Sequence, residues 1–263
     1  VNSIGGDSAI FIINFYLNPI GIAFYEIAEK IPEGVDDLLS SFDTVYYPSI
    51  STLFAEEKPA EALLVMNKSA ALMTGLMSII CVGAFLFGEM MIGFIFSEKY
   101  VSVSLGMTLS MVAVLFGMVG NIFGYTLVSA DKPHTSTVTN TISVFIFILG
   151  ALLLVPPFGF IGAIWASVIS NLFDVIIYAI YLQKYHLKPQ FWRIFQPLLL
   201  GVLFCVGVAL LTPVNWLIRV GLMSLYPLLL VTLLKDFRQL KRYLPTIKAT
   251  IAQRANGILS SRS

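Results

Sequence analysis

Charged residues are scarce in this chain of 263 residues and are unevenly distributed along it. Only 12% of the residues are charged, whereas an ordinary soluble domain carries about 25%. Residues 100–130 and 194–218 contain no charged residue, and residues 69–96 contain only Glu89. Because a membrane-spanning helix needs about 20 predominantly apolar residues, these runs exclude a soluble globular protein. They predict an all-α, polytopic membrane helix bundle with about seven to eight transmembrane helices.

The chain also lacks the motifs of an enzyme or a metal site. Cys81 and Cys205 lie inside apolar runs, which favours small hydrophobic residues over a redox pair. His134 and His186 are isolated in loops, and neither a GxSxG motif nor a phosphate-binding P-loop occurs. We therefore expect no enzymatic activity, no metal and no cofactor. The net charge of +1 provides no bulk attraction for nucleic acid.

Proline, glycine and charged residues divide the chain into predicted spans. The first apolar run, at 1–17, is short for a span and has no signal-peptide features, so we expect a truncated first helix. Residues 1–234 are predicted to form one transmembrane domain, and 235–263 a basic amphipathic tail that lies on the inner leaflet or docks a partner. A tight loop is expected at Pro156–Gly159. The other predicted elements are 20–54 (broken near 31–34), 62–96, 103–130, 136–155, 161–182, 194–212 and 214–234.

Lysine and arginine are concentrated in alternate loops. Most of the sixteen lie in the loops near Lys58, Lys132 and Lys184 or in the tail, whereas the opposite loops hold Lys99 and Arg219. Cytoplasmic loops carry the excess of basic residues in membrane proteins. The pattern predicts a multi-pass protein of the cell inner membrane with a cytoplasmic C-terminus.

An acidic stripe runs through the poorly apolar stretch at 20–54. Its members recur every three or four residues, the spacing of one helix face: Glu26, Glu29, Glu33, Asp36, Ser40, Asp43 and Tyr47. Because charges are costly at membrane depth, a crossing helix with such a face must line a polar cavity. The alternative is a juxtamembrane helix with a solvated face, since so charged a segment would not insert alone. The alternation of basic loops favours crossing.

Individual residues of the stripe are candidates for binding and coupling. Lys30 is the one cation within it, and it is expected either to pair with Glu26 at i−4 or to attract an anionic group such as a phosphate. Intramembrane carboxylates often carry protons or cations. The candidates for a coupling cation, H⁺ or Na⁺, and for the wall of a substrate cavity are Glu26, Glu29, Asp36, Asp43 and, in the span at 161–182, Asp174.

Several short motifs, in order and spacing, resemble those of a known transporter family. The matching segments are Gly6–Ser8 with Leu17–Ala28 (D…LG…VGxYxxA), Tyr47–Ser51 (FPxIS), Phe96–Tyr100 (FG-EY), Ala130–Lys132, and Asn140 with Val155–Ala163 (N…IPxxGixGAA). The chain is similar to polysaccharide-biosynthesis flippases, the O-antigen and exopolysaccharide flippases of the multidrug/oligosaccharidyl-lipid/polysaccharide exporter superfamily. The acid density of the stripe departs from the family pattern.

The resemblance implies the C-terminal lobe of a two-lobed transporter, from the middle of helix seven to helix fourteen, without its N-terminal lobe. It implies outward flipping of undecaprenyl-diphosphate-linked oligosaccharide by alternating access, with membrane lipids and a coupling cation as further partners. Lys30 fits the cationic residues thought to meet the diphosphate. The alternatives are a cation-coupled multidrug exporter of the same superfamily and an inactive fragment or membrane scaffold. A membrane glycosyltransferase or polymerase would be expected to show a large external loop or a metal-binding acid motif, and the sequence has neither.

Overall fold

The computed structural model describes residues 15–16, 19–210 and 216–233. The predicted truncated helix, apart from Phe15 and Tyr16, lies outside the described residues, as does the predicted basic tail at 235–263.

Every regular element in this described part of the chain is helical. The α-helices are α1 (Pro19–Ser40), α2 (Asp43–Ala55), α3 (Pro59–Ile95), α4 (Ser104–Ser129), α5 (Pro133–Phe158), α6 (Phe160–Lys184), α7 (Phe191–Leu210) and α8 (Trp216–Leu233), with a 3₁₀ helix, Glu98–Val103, before α4. Five segments are long and apolar enough to cross a membrane: α3, the 3₁₀ helix with α4, α5, α6, and α7 up to Ala209. The prediction of an all-α polytopic membrane bundle is confirmed. Among the described residues, α1 is too charged to be counted with these five, and the apolar part of α8, Gly221–Leu230, is shorter.

Prolines that were expected to end helices lie inside them instead. Pro32 is inside α1, and Pro156 and Pro157 are inside α5, so the predicted break at 31–34 and the predicted four-residue loop are both wrong. A proline removes one helical hydrogen bond, and packing against neighbouring helices makes this tolerable in membrane proteins. The striped stretch breaks at Ser41 and Phe42 instead.

Hydroxyl groups explain the position of that break. Ser40 Oγ donates to the Asp37 carbonyl at 2.7 Å, and Ser41 Oγ donates to the Leu38 carbonyl at 2.6 Å. Thr44 Oγ1 donates to the Ser41 carbonyl at 2.7 Å. Such side-chain bonds give the backbone an alternative to the helical ladder. The chain can therefore turn from α1 into α2 at a cluster of serine and threonine rather than at a proline.

Helix α4 lies at the centre of the bundle and packs against α1, α2, α3, α5 and α6. The buried apolar residues of α4 lie in one hydrophobic core with α3 and α6, and they include Met107, Met111, Leu115, Val119 and Ile122. Helices α7 and α8 pack against α3, where a smaller cluster surrounds Tyr226. Tyr226 is fully buried, and its Oη lies 3.0 Å from both Ser78 Oγ and the Pro197 carbonyl oxygen.

Two glycines shape the turn between α5 and α6. Gly159 has φ 61° and ψ −141°, a combination that residues with a side chain rarely adopt. Gly162 approaches the Leu154 carbonyl so closely that an added Cβ would overlap it. Both glycines belong to the segment that resembles the flippase motif. The backbone conformation at Gly159 and the close approach at Gly162 explain why these positions need glycine.

Candidate functional site

The acidic stripe is carried by α1 and α2, and its members have different surroundings. Glu26 and Glu33 are exposed, whereas Tyr25 and Ala28 on the same helix are buried. Glu29 is partly buried and accepts a hydrogen bond from Ser110 Oγ of α4 at 2.8 Å. The stripe therefore contacts the central helix at Glu29, its second member, and is not exposed along its whole length.

Lys30 forms its ion pair with Glu33, whose Oε2 lies 3.6 Å from Lys30 Nζ. The predicted partner, Glu26, lies one turn before Lys30 and does not form the ion pair, so that prediction is wrong. Residues three and four apart are both neighbours on a helix surface, and spacing alone does not choose between them. Both side chains of the pair are mostly exposed, at 71% and 62%.

A cavity of about 330 Å³ lies beside the junction of α1 and α2. Its lining residues are Asp36, Leu39, Ser40, Asp43, Met118, Asn121 and Tyr125. Two carboxylates, an amide, a phenol and a serine hydroxyl thus converge from three helices. The turn at Ser41 and Phe42 separates α1 from α2, which begins at Asp43. This turn therefore helps to form the cavity.

Tyrosines hold α2 against α4 at the edge of this cavity. Tyr125 and Asp43 both line the cavity, on α4 and α2 respectively. The rings of Tyr47 and Tyr125 have centroids 5.4 Å apart and are tilted by 46°. Tyr46 is buried, with its Oη 2.8 Å from Thr126 Oγ1, which is also on α4. Both tyrosines of α2 thus contact α4, Tyr46 in the core and Tyr47 beside Tyr125, a residue of the cavity wall.

Sequence reasoning did not identify Asn121 and Tyr125 as cavity residues. Both come from α4, which contains no Lys, Arg, Asp or Glu, and they stand one turn apart. Asn121 is exposed although its helix is otherwise suited to lipid or protein. The sequence signal that could have identified them is an asparagine and a tyrosine at i and i+4, on one face of a span without charged residues.

Asp174 belongs to a separate polar cluster between α4, α5 and α6. Ser143 of α5 donates a hydrogen bond to Asp174 Oδ1. Ser170 Oγ donates to the Ser143 carbonyl at 2.8 Å, and Asn171 Nδ2 donates to the Ala113 carbonyl at 2.9 Å. The structure therefore brings Asp36 and Asp43 together at the cavity and places Asp174 elsewhere in the bundle.

Close helix packing makes room for this second cluster. Three glycines of α4 face three larger residues of α6 at the same spacing: Gly117 faces Asn171, Gly120 faces Asp174 and Gly124 faces Tyr178. Each larger side chain lies at ordinary or tight contact distance from the position that a Cβ on its glycine would take.

Among the described residues, no group of three or more His, Cys, Asp or Glu is placed to hold a metal ion.

No protein-family model and no curated protein matches the sequence. Among solved structures, the chain is similar to one described as "Lipid II flippase MurJ, inward closed conformation". The TM-score is 0.71 and the identity 15%, and the match covers 93% of this chain and 51% of that one. The chain thus spans about half the length of the flippase that it matches. The likeness confirms the predicted architecture, a polytopic helical bundle that corresponds to part of a larger fold.

Proposed function

We propose that this chain forms one lobe of an alternating-access flippase that moves a lipid-linked oligosaccharide across the cell inner membrane. The observation that carries the proposal is the cavity of Asp36, Asp43, Asn121 and Tyr125 inside a helical bundle of flippase fold. A lipid carrier can stay in the bilayer while its polar headgroup crosses, but the headgroup needs a path that is shielded from lipid tails. Carboxylate, amide and hydroxyl groups on rigid helices provide such a path.

The resemblance of the sequence motifs favours undecaprenyl diphosphate as the carrier, and Lys30 is our candidate for contact with the diphosphate. Lys30 stays well exposed despite its pair with Glu33, so its charge is accessible to an anionic group. Glu26 is exposed on the same helix and would shape the approach to it.

Glu29 and Asp174 are our candidates for coupling to H⁺ or Na⁺. Each carboxylate lies between helices and has a serine hydroxyl as its partner, Ser110 or Ser143. A carboxylate that gains or loses a proton or cation changes its interactions with the neighbouring helix. Binding at either position would therefore bias the relative placement of α1 or α5 against the rest of the lobe.

The orientation that we propose places the C-terminus in the cytoplasm. The turns after α2, α4 and α6 lie at the same end of an alternating bundle and hold most of the basic loop residues. Lys132 Nζ lies 5.5 Å from the centroid of the Tyr185 ring, so two of these turns are in contact.

The test is flipping by the full-length protein in proteoliposomes that contain a fluorescent lipid-linked oligosaccharide, read as exposure of the sugar to an external glycosidase. We expect flipping above that of empty vesicles, and a loss of about tenfold or more in the double variant Asp36→Asn/Asp43→Asn. Asp37→Asn is the matched control, because Asp37 is exposed on the same helix and does not line the cavity. Flipping at the level of empty vesicles by the unaltered protein would overturn the proposal.

Lys30 requires its own comparison. Lys30→Ala should slow flipping and Lys30→Arg should preserve most of it, because a cation is retained. Lys99→Ala, in the 3₁₀ helix that follows α3, should leave the rate unchanged, because the Lys99 ammonium lies over the Tyr100 ring, 4.7 Å from its centroid. Equal rates for Lys30→Ala and the unaltered protein would remove Lys30 from the site.

The acidity of the cavity favours one second candidate, a cation-coupled exporter of cationic drugs. Two carboxylates suit an amphiphilic cation as well as a sugar. The two functions separate when the same proteoliposomes are offered a cationic dye and the lipid-linked oligosaccharide: export of the dye alone would favour the drug exporter.

A further inference from the structure

We propose that the two turns after α4 and α6 bind the headgroups of anionic phospholipids. These turns carry the basic rim, which consists of Lys132, Lys184 and Lys188. The proposal goes beyond the flippase function, since it does not depend on which solute the lobe moves. It is carried by an uneven distribution of charge at one end of the bundle and by contacts that hold the three lysines in place.

Acidic and basic residues are separated at this end of the bundle. The turn after α2 and the first turn of α3 hold three exposed carboxylates, Glu56, Glu57 and Glu61, with one lysine, Lys58. Lys58 is neutralised there, because its Nζ lies 2.7 Å from Glu56 Oε2. The turns after α4 and α6 hold the three lysines of the basic rim and one carboxylate, Asp131. An anionic headgroup is therefore attracted to the second place and repelled from the first.

The charges of the basic rim are not compensated within the described part of the chain. None of its three lysines forms an ion pair there. Lys184 and Lys188 are exposed. Lys132 is half-buried, and its Nζ lies 5.5 Å from the centroid of the Tyr185 ring, a contact that does not neutralise the ammonium charge. A group with net negative charge is the partner that such a surface attracts.

Contacts with the rest of the lobe fix the position of the basic rim. Tyr185 Oη lies 3.3 Å from His134 Nε2, so Tyr185 joins the two turns. Leu187 is buried in the hydrophobic core. The backbone N–H of Gln190 donates to Asn67 Oδ1 of α3 at 2.7 Å. Because these contacts already hold the turns, the binding of a lipid does not need to order them, which lowers its entropic cost.

Trp192 indicates that the basic rim lies at the level of lipid headgroups. It belongs to the first turn of α7, a helix apolar enough to cross a membrane, and 70% of it is exposed. Tryptophan is enriched where a membrane meets water. Lysines near an anionic membrane surface each strengthen binding by about fivefold. The proposed orientation places the basic rim at the cytoplasmic leaflet, whose surface potential is negative.

The test compares a fluorescent label at the basic rim with one at the acidic turn, in the full-length protein with its native cysteines replaced. His186→Cys lies between Lys184 and Lys188, and Ala60→Cys lies beside Glu61; both positions are exposed. Each bimane-labelled protein is reconstituted in phosphatidylcholine vesicles that contain a minor fraction of phosphatidylglycerol with a nitroxide near its headgroup. Parallel vesicles contain phosphatidylcholine with the same nitroxide. The nitroxide quenches the label of any protein whose labelled turn it approaches.

We expect half-maximal quenching of the label at His186→Cys at a fraction of phosphatidylglycerol that is at least about fivefold lower than that of phosphatidylcholine. At Ala60→Cys we expect no preference for phosphatidylglycerol, because the neighbouring carboxylates repel it. Equal quenching by the two lipids at His186→Cys would overturn the proposal. An equal preference at both positions would also overturn it, because it would show attraction to the protein as a whole. This comparison uses no lysine variant, so it stays decisive even if such a variant impairs folding.

Lysine variants assign the preference to the basic rim. In the protein labelled at His186→Cys, Lys132→Gln/Lys184→Gln/Lys188→Gln should bring the two lipids within about twofold of each other. Lys58→Gln is the matched control, since Lys58 lies at the same end and is already paired with Glu56, and it should keep the full preference. A preference that persists in the triple variant would overturn the assignment to these lysines. None of these measurements involves flipping, so the proposed function and this proposal can fail separately.

Discussion

Ser143 on α5 donates its hydroxyl proton to the carboxylate of Asp174 on α6. The Ser143 carbonyl in turn accepts a hydrogen bond from Ser170 of α6. Two polar bonds therefore join these helices at one level, where the side chains of Ser143 and Ser170 are buried. Loss of the donor would leave the carboxylate without its partner. The free-energy cost of such an unsatisfied group exceeds the net stabilisation that the hydrogen bond provides.

We predict that Ser143→Ala lowers the free energy of unfolding by about 1–3 kcal/mol. Asp174→Asn should be better tolerated, because an amide can accept the same bond without a charge. Thermal unfolding in detergent measures both effects. Thr141→Ala is the control, since Thr141 is exposed and bonds only within its own helix, to the Thr137 carbonyl at 2.8 Å. Equal destabilisation by Thr141→Ala would contradict the prediction.

The contact between Glu29 and Ser110 should couple α1 to α4. A double-mutant cycle with Glu29→Gln and Ser110→Ala is expected to give an interaction energy of about 0.5–3 kcal/mol, because the two side chains are in direct contact. The same cycle with Glu26→Gln in place of Glu29→Gln should give additive effects, since Glu26 is exposed. Additivity in the first cycle would mean that the hydrogen bond does not stabilise the docking of α1.

The spans were predictable because long charge-free runs fix them with little help from tertiary structure. Helix α4 was expected at 103–130 and is found at Ser104–Ser129. The period of the stripe likewise indicated helix before any contact was known. The break of the stripe was misplaced because a proline inside a packed helix can be compensated by its neighbours, whereas the hydroxyl bonds of Ser40 and Ser41 depend on local geometry.

The site was predictable only in part for a related reason. Asp36 and Asp43 were candidates because carboxylates in a lipid-like chain need a polar environment. Their neighbours Asn121 and Tyr125 lie far away in sequence and meet them only through the packing of α4 against α1 and α2. Asp174, in the span at 161–182, was a candidate for the same cavity, and it is not among the residues that line the cavity. Spacing along one helix cannot show which residues of another helix face it.

Gly162 should be the most sensitive glycine of the α5–α6 turn. Gly162→Ala places a methyl group against the Leu154 carbonyl, a backbone atom that cannot rotate away, so we expect loss of folded protein or a marked fall in melting temperature. Gly34→Ala is the matched control, because no atom lies within 4 Å of its added Cβ. There the helical propensity of alanine should make the change neutral or stabilising by up to about 1 kcal/mol. Detergent-extracted yield and melting temperature distinguish the two variants.

Tyr226 should contribute to the seating of α8 through its hydroxyl group. Tyr226→Phe keeps the ring and removes the bonds to Ser78 and the Pro197 carbonyl, so we expect destabilisation of about 1 kcal/mol. Ser224→Ala serves as control, because Ser224 is exposed and bonds the Gly221 carbonyl of its own helix. Urea or thermal unfolding that is followed by tryptophan fluorescence would measure the difference. An unchanged midpoint for Tyr226→Phe would show that the hydroxyl contributes nothing measurable.

Water access at the α1–α2 junction can be tested without any transport assay. In a Cys81→Ser/Cys205→Ser background, Asn121→Cys should react with a membrane-impermeant maleimide, because the reactive thiolate forms only where water reaches it. Phe145→Cys should react much more slowly, by about tenfold or more, although Phe145 is 68% exposed, since its helix has the composition of a lipid-facing span. The two labelling rates distinguish exposure to a polar cavity from exposure to lipid. The exposed fraction of a side chain in one lobe does not distinguish them. Equal labelling at both positions would mean that Asn121 faces the same surroundings as Phe145 and that the cavity is not a polar path.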